Sequence, residues 1–138
     1  MTHGRQTPER EKLLSLLEKM EDTFPMEFAP PCSLTERPAG LPADLFVLYS
    51  ITDGMEIDVP GTVILPLEEV SLWPEEPSCG EPQRLCFGHM NFGDFLCIDE
   101  NGTVFQMDIE DGSEFLRWDS LLDFLQSEYE SGVKTDAL

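Results

Sequence analysis

The stretch from Cys86 to Gly102, CFGHMNFGDFLCIDENG, holds the densest group of side chains that could do chemistry. It contains two thiols, one imidazole and two aspartates, with glycines where the chain could bend. Such a group could bind a soft metal ion, act as a thiol redox pair or form a calcium loop. It could also be ordinary β-structure, so the spacing of its residues decides among these possibilities.

The cysteines lack the spacing of a structural zinc site, which usually shows closely paired ligands such as Cys-x-x-Cys. They stand at positions 32, 79, 86 and 97, so successive cysteines are 47, 7 and 11 residues apart. If residues 90–93 form a four-residue loop, His89 faces Asp94 and Cys86 faces Cys97 on adjacent strands. Cysteine is also commonly buried as a small hydrophobe, and we favour that interpretation.

A calcium loop of the EF-hand type fits the same stretch poorly. With Gly102 at the invariant glycine, Asp99 and Asn101 fall on ligand positions. Cys97 then takes the first position, where an acid is needed, and Asp108 takes the last, where a bidentate glutamate is usual. The flanking residues alternate as strands do. We therefore expect no calcium site.

The common catalytic arrangements are also missing from the sequence. The only histidines are His3 and His89, and there is no Gly-x-Ser-x-Gly elbow, P-loop or dinucleotide-binding glycine motif. Two aspartates could act together in acid–base chemistry, but among 28 acidic residues such a pair carries little information. These observations predict a protein that is not an enzyme and that holds no cofactor and no metal.

The charge of the chain is its strongest global feature. It has 28 acidic and 8 basic side chains, a net charge of −20, and no Lys or Arg from Pro38 to Gln83. Such a surface repels nucleic acid and anionic membranes and favours cationic protein partners. The alternative is that the acidity serves solubility alone.

Carboxylates lie next to apolar residues in several segments, and protein interfaces favour that mixture. We predict partner contacts at Glu56, Asp58, Trp73, Glu75, Glu76, Asp108, Glu110 and Asp111. In the alternative interpretation, Trp73 is a core residue and the carboxylates lie on solvated loops.

The N-terminal segment MTHGRQTPEREK is polar and contains no apolar stretch of the kind found in secretory signals. The longest apolar run, LFVLYSI, is far shorter than a membrane span. We therefore expect a cytosolic protein whose cysteines stay reduced.

The hydrophobic pattern predicts one helix from Thr7 and a second that begins at Pro42 and stops at Gly54. The Pro-rich connector between them, residues 24–40, is expected to lack regular structure because its proline density is too high. A short strand over residues 62–65 follows.

Pro66 is expected to open a short helix over residues 66–73. The closing helix begins at Asp119 or Ser120, where a capping box is recognisable, and it stops at Gly132. The tail after Gly132 is expected to fray.

Between these helices the hydrophobic period changes to two, and the pair Asn101-Gly102 predicts a type I′ hairpin. A two-residue turn places Ile98 opposite Phe105 and divides the hairpin into a core face and a mixed face. The predicted core face holds Leu96, Ile98, Phe105, Met107 and Ile109. The predicted mixed face holds Phe95, Cys97, Asp99, Val104, Gln106 and Asp108.

The order of elements gives an α+β pattern, in which helices cover one face of a sheet. We predict a single domain over residues 1–138, with an antiparallel or mixed sheet of about five or six strands and helices packed against it. Its parts are the first helix and connector over 1–40, a core over 41–131 and the tail over 132–138.

Four motifs resemble, in their order, the SUKH (Smi/Knr-like) superfamily: LPADLFVLYSITDGMEI, VILPLEEV, FGHMNFGDFLCIDENGTVFQMD and SLLDFLQSEYE. The resemblance extends from about Leu41 to Glu130 and implies a single-domain α+β scaffold. The positions that it assigns to this scaffold are Leu41, Pro42, Leu45, Leu48, Gly54, Gly88, Gly93, Asp94, Leu96, Asp99, Gly102 and Val104. Asn101 joins these structural positions as the partner of Gly102 in the predicted hairpin turn.

The resemblance also implies a function. Bacterial members are mostly immunity proteins that bind and neutralise a cognate toxin, and fungal relatives are regulatory interaction proteins in cell-wall synthesis. We therefore expect an immunity protein for a polymorphic or contact-dependent toxin. A cationic toxin such as a nuclease would suit the acidic surface. A regulatory adaptor for an endogenous partner is the alternative.

Overall fold

Helices form where apolar residues recur every three to four positions. In the computed structural model they are α1 (Gln6–Thr23), α2 (Ala43–Tyr49) and α3 (Leu121–Ala137). Their apolar sides meet in one core, where Met20, Leu45 and Phe124 are fully buried. The residues that the structure describes are 6–23, 25–32, 40–57, 61–73, 79, 83–90 and 93–137. The predicted contact residues Asp58, Glu75 and Glu76 lie outside them.

Within the described residues, eight strands form one antiparallel sheet, which confirms the α+β class and exceeds the five or six strands that were expected. They are β1 (Met26–Phe28), β2 (Met55–Ile57), β3 (Thr62–Ile64), β4 (Ser71–Trp73), β5 (Arg84–Met90), β6 (Phe95–Ile98), β7 (Val104–Met107) and β8 (Glu114–Trp118). The order across the sheet is β1-β2-β3-β5-β6-β7-β8. The remaining strand, β4, pairs with the first half of β5, next to β3.

Two of these strands lie in segments that were assigned to other structures. β1 forms within the Pro-rich connector, where three proline-free residues pair with β2. β4 replaces the second half of the predicted short helix, of which only Leu67–Glu69 is helical, as one 3-10 turn. Both predictions were partly wrong because the backbone hydrogen bonds come from a distant strand, which local propensity does not reveal.

Both predicted helix stops were wrong. α2 ends at Tyr49, and Gly54 lies further along, in the turn that enters β2, with φ of +94°. α3 continues through Gly132 without a break. A glycine inside a helix costs about 1 kcal/mol relative to alanine, and tertiary packing offsets this cost because Gly132 is buried. The predicted start of α3 is confirmed, since the Ser120 hydroxyl accepts the N–H of Asp123 at 3.1 Å.

The β6–β7 hairpin differs from the predicted type I′ turn. Such a turn needs positive φ at both central residues, but of Asn101 and Gly102 only Gly102 has it, with φ of +89°. The Asp99 carbonyl accepts the N–H of Gly102 at 3.0 Å, and its carboxylate accepts the N–H groups of Asn101 and Thr103 at 2.9 Å. The loop is therefore a type I turn followed by a left-handed glycine, with three residues instead of two.

This extra loop residue moves the register by one position and exchanges the faces of β7. Ile98 pairs with Val104, not with Phe105. Val104 consequently lies in the core beneath the helices, while Phe105 and Met107 lie on the opposite face of the sheet. Ile109, which was predicted to lie in the core, is 60% exposed.

The scaffold positions have identifiable structural roles. Pro42 is buried directly before the first residue of α2, and the adjacent Leu41 belongs to the main core cluster. The carboxylate of Asp94 accepts a 2.7 Å hydrogen bond from the amide of Gln106, a buried residue. Gly88 lies where β3 and β5 approach closely, since an added Cβ would lie 2.6 Å from the carbonyl oxygen of Val63.

Candidate partner-binding face

One face of the sheet carries Glu56 and Trp73, two of the residues that were predicted to contact a partner. A row of directly paired residues crosses it over seven strands. In spatial order the row is Glu27, Glu56, Val63, His89, Phe95, Met107 and Glu114. Directly paired residues of antiparallel strands point to the same side, so this row defines one surface, which we call the open face.

A second apolar cluster fills the middle of the open face. It consists of Phe95, Cys97, Phe105 and Met107, each at most 9% exposed, with Trp73 and Cys86 packed against it. As far as the structure describes the chain, no residue of the three helices belongs to this cluster. The open face is therefore the side of the sheet opposite the helical layer.

Two arginines lie against this cluster. The guanidinium carbon of Arg84 is 3.7 Å from the ring centroid of Phe105, and that of Arg117 is 5.1 Å from it. Arg117 also forms a bidentate ion pair with Glu114, with both N–O distances at 2.8 Å, and this pair holds the pKa of Glu114 below its usual range. Cation–π contacts thus place positive charge near the middle of the open face.

Trp73 connects the open face to the β7–β8 loop. Its backbone pairs with Arg84 on β5, but its ring lies 5.1 Å from the ring of Phe95 on β6. The indole therefore extends over β5. At its far end it borders Gly112, where an added Cβ would lie 3.1 Å from the ring. Trp73 is half-buried, so it is neither a residue of the main core nor a fully exposed anchor.

Three of the predicted contact residues lie together in this loop. Asp108, Glu110 and Asp111 form what we call the β7–β8 acidic loop, which closes where the N–H of Gly112 bonds to the carbonyl of Asp108 at 2.8 Å. The Asp108 carboxylate accepts the N–H of Glu110 at 2.7 Å. Hydrogen bonds from the hydroxyl and N–H of Ser113 lower the pKa of Asp111. Asp108 and Asp111 therefore stabilise the conformation of the loop through hydrogen bonds, in addition to giving it negative charge.

Glu56 belongs to a second acidic group at the other end of the open face. It lies directly opposite Glu27 on the neighbouring strand, and both side chains are exposed. We call them the β1–β2 acidic pair. They border a groove of about 400 Å³ that Phe28, Asp53 and Val63 also line. Like charges directly opposite each other in a sheet are destabilising, so a Lys or Arg side chain in this groove would relieve the repulsion.

The two acidic groups are close enough for one partner to touch both. Glu56 and Met107 lie on strands separated by four inter-strand spacings, about 19 Å. A standard protein interface covers about 800 Å² on each partner, a patch roughly 30 Å across. The predicted contacts Glu56, Trp73 and those of the β7–β8 acidic loop therefore fit within one interface.

Cys86 and Cys97 lie directly opposite each other, as the sequence predicted, but His89 faces Phe95 and not Asp94. The β5–β6 turn has one residue fewer than expected, because Met90 and Asp94 close it through an N–H to carbonyl bond of 2.8 Å. A β-bulge between Cys86 and Gly88 then shifts the register back, and this restores the thiol pair.

The two thiols influence each other. The neighbouring Cys97 thiol favours the charged form of Cys86 and so lowers the pKa of Cys86 below its usual range. The same contact, together with burial, raises the pKa of Cys97. In the described part of the chain, no group of three His, Cys, Asp or Glu side chains is arranged to hold a metal ion. None of the described helices has the length and apolar character needed to cross a membrane.

Sequence reasoning missed several residues of the open face. Glu27 and Glu114 carry no local signal, because only strand pairing brings them into the row. Arg84 and Arg117 could have been found, since they are the only Lys or Arg residues between Pro38 and Gly132. Cations that are rare in so acidic a chain are candidates for a specific contact.

Comparison with known proteins identifies the scaffold. No curated protein and no solved structure matches the chain significantly. The model of the SMI1 / KNR4 family (SUKH-1) matches residues 36–127, two thirds of the chain, and thus spans α2, the strands from β2 to β8 and the start of α3. This family includes immunity proteins, and its members are generally non-catalytic. The chain belongs to the SMI1/KNR4 (SUKH-1) family.

Proposed function

We propose that this protein is an immunity protein of the bacterial cytosol, which binds one cognate polymorphic or contact-dependent toxin and neutralises it stoichiometrically. It performs no catalytic turnover. The observation that carries the proposal is the open face of a SUKH-1 scaffold, with carboxylates at both ends and an aromatic cluster between them. Interfaces combine apolar anchors with charged rims in this way.

The charge of the chain supports a cationic partner. A net charge of −20 attracts such a partner over a long range and accelerates its association. A nuclease toxin is a suitable partner because its active site is built to bind phosphate groups. In the complex, carboxylates of the open face would replace the nucleic-acid phosphates as the negative partners of the toxin's cationic groups.

An immunity function predicts a toxin domain encoded beside this gene, and the direct test is co-expression with that domain. The immunity proposal predicts that the protein restores growth and that calorimetry on the purified pair gives one protein per toxin. A regulatory adaptor would have no such neighbour and would not rescue growth. Failure to bind the neighbouring toxin domain, or binding without rescue, would overturn the proposal.

Charge-neutral variants locate the interface. Asp108→Asn, Glu110→Gln and Asp111→Asn, combined, remove three charges, and the asparagine oxygens can still accept the N–H bonds that shape the loop. We expect the dissociation constant to rise by about tenfold or more, equivalent to at least 1.4 kcal/mol. Most of the change should appear in the association rate, as is usual for charges at an interface rim.

The matched control removes the same number of charges from the helical layer. Glu18, Glu21 and Asp22 are exposed on α1, and the combined Glu18→Gln, Glu21→Gln and Asp22→Asn variant has the same net charge as the loop variant. We expect its affinity to stay within about twofold of the unmodified protein, because long-range attraction is screened beyond about 10 Å at 0.1 M salt. Equal losses in both variants would exclude the open face as the binding site.

The other end of the open face needs its own variant. Glu27→Gln with Glu56→Gln neutralises the β1–β2 acidic pair and leaves the β7–β8 acidic loop unchanged. If one partner covers both groups, this variant also weakens binding. Weakening by the loop variant alone would restrict the interface to the β7–β8 end of the sheet.

A further inference from the structure

The paired thiols of the second cluster have no role in the proposed binding of a toxin. Cys86 lies on β5 and Cys97 on β6, directly opposite each other and on the same face. We propose that these two residues form a modification site, a dithiol that a peroxide oxidises to an intramolecular disulfide across the open face. The inference is independent of the partner that the face binds.

The backbone geometry suits such a bond. Directly opposed residues of antiparallel strands have Cα atoms about 4.5–5.5 Å apart, and disulfides span Cα separations of about 4.4–6.8 Å. Because Cys86 and Cys97 are directly paired across the two strands, both side chains lie side by side on the same face of the sheet. The strands therefore need no rearrangement, which is the usual obstacle to a disulfide in a folded domain.

The environment assigns a different role to each thiol. Cys97 is fully buried, whereas Cys86 is partly exposed at the edge of the cluster. Peroxide therefore reaches Cys86 first. Cys97, directly opposite on the next strand, lowers the pKa of Cys86 and so favours its thiolate, which is the form that reacts with oxidants. Cys97 is then the resolving thiol, held beside the oxidised sulfur.

The reaction balances with a peroxide as the oxidant. The Cys86 thiolate attacks one oxygen of hydrogen peroxide, the O–O bond breaks, and hydroxide leaves while Cys86 becomes a sulfenic acid. The Cys97 sulfur then attacks the Cys86 sulfur and the S–O bond breaks. The thiol proton and the departing hydroxyl group leave as water. The peroxide accepts both electrons, and a dithiol reductant returns them when it reopens the disulfide.

The other two cysteines provide internal comparisons. Burial, followed by the neighbouring Asp53, raises the pKa of Cys32 to about 11, so this thiol is expected to react slowly. Cys79 is more exposed than Cys86, so it would be oxidised first if solvent access alone determined the rate. Faster oxidation of Cys86 than of Cys79 would therefore reflect the paired arrangement and not exposure.

The test uses the full-length reduced protein and limiting hydrogen peroxide, followed by alkylation of free thiols and peptide mapping by mass spectrometry. We expect a peptide pair linked through Cys86 and Cys97, and the loss of two of the four thiols, which dithiothreitol restores. A link through Cys79, or oxidation of Cys86 no faster than that of Cys79, would overturn the proposal. This result needs no variant, so a folding defect cannot obscure it.

Two variants then separate the roles of the thiols. In Cys97→Ala, Cys86 should remain as a sulfenic acid that dimedone traps, and no link should form. In Cys86→Ala, the buried Cys97 should stay reduced. The control Cys79→Ser should form the disulfide as the unmodified protein does. Oxidation of Cys97 in the Cys86→Ala variant would contradict the assigned order of reaction.

Discussion

Glu128 is a carboxylate buried where α3 meets the sheet. It is 5% exposed and hydrogen-bonded to the hydroxyl of Thr62 on β3. Burial raises its pKa, and the bond from Thr62 opposes this shift only in part. The native state therefore holds a proton on Glu128 more tightly than the unfolded chain does. At neutral pH, folding has to bury a charge or keep a proton that the unfolded chain would release.

Glu128→Gln should therefore stabilise the protein at pH 7. The glutamine keeps the shape of the side chain and an acceptor for Thr62, but it has no charge to desolvate. The pH dependence of this effect follows from proton linkage. The contribution of Glu128 to stability falls as pH rises from its pKa in the unfolded chain, about 4.3 for glutamate, through its raised pKa in the native state. Each pKa unit of the shift corresponds to about 1.4 kcal/mol. Urea unfolding at pH 7 should show the gain, and below about pH 4 the variant should lose its advantage.

Glu130→Gln is the matched control, since Glu130 is exposed in the same helix. Its free energy of unfolding should change by less than about 0.5 kcal/mol at either pH. A Glu128→Gln variant that gains stability mainly in acid would show that the buried carboxylate is stabilised in its charged form, contrary to the direction of its pKa.

At the scale of single residues, some scaffold positions could be predicted from the sequence although their structural roles could not. The resemblance placed Asp94 in the scaffold without giving a reason. The structure supplies one, because Asp94 satisfies the amide of Gln106, a buried residue that was predicted to lie on the mixed face. A buried amide without a partner is costly. The need for Asp94 therefore depends on the register, which a local pattern does not contain.

At the scale of elements, the turn glycines were predictable and the registers were not. Gly93 and Gly102 both have positive φ and both follow a tight turn, as expected. The loop length of the β6–β7 hairpin depends on a different residue, Asp99, whose carboxylate accepts two backbone N–H groups. The sequence DENGT contained this signal, because aspartate often bonds to the backbone two residues further on.

The close approach of β3 and β5 gives a prediction for Gly88. Its backbone needs no left-handed conformation, but an added Cβ would lie 2.6 Å from the carbonyl oxygen of Val63 and 3.2 Å from Leu96. A backbone oxygen cannot move without displacing its strand. Gly88→Ala should therefore destabilise the fold by about 1–3 kcal/mol, the range for overpacking a core. Urea denaturation would measure the loss.

Ser71→Ala, an exposed position on the neighbouring strand β4, provides the comparison. It should change the free energy of unfolding by less than about 0.5 kcal/mol. If Gly88→Ala were as harmless as this control, the spacing between β3 and β5 would have to be more adjustable than the paired registers of these strands indicate.

For the molecule as a whole, the sequence established the charge and the fold class but not the location of the carboxylates. Only the eight-stranded sheet brings Glu27 opposite Glu56 and places the β7–β8 acidic loop beside Trp73. These contacts join segments that are far apart in the chain. The predicted contact residues that the structure describes therefore separate into two groups at the open face, an arrangement that composition could not reveal.

The same charge should make salt act with opposite signs on the free protein and on its complex. In the free protein, self-repulsion of a −20 charge opposes folding, so potassium chloride rising from 0.01 to 0.2 M should raise the thermal midpoint as the Debye length falls from about 30 Å to below 10 Å. In the complex with a cationic toxin, the same salt screens attraction and should lower the association rate by about tenfold or more. Scanning calorimetry and stopped-flow mixing measure the two effects. If salt strengthened both folding and binding, apolar contacts would dominate the interface, and the acidic groups of the open face would serve solubility alone.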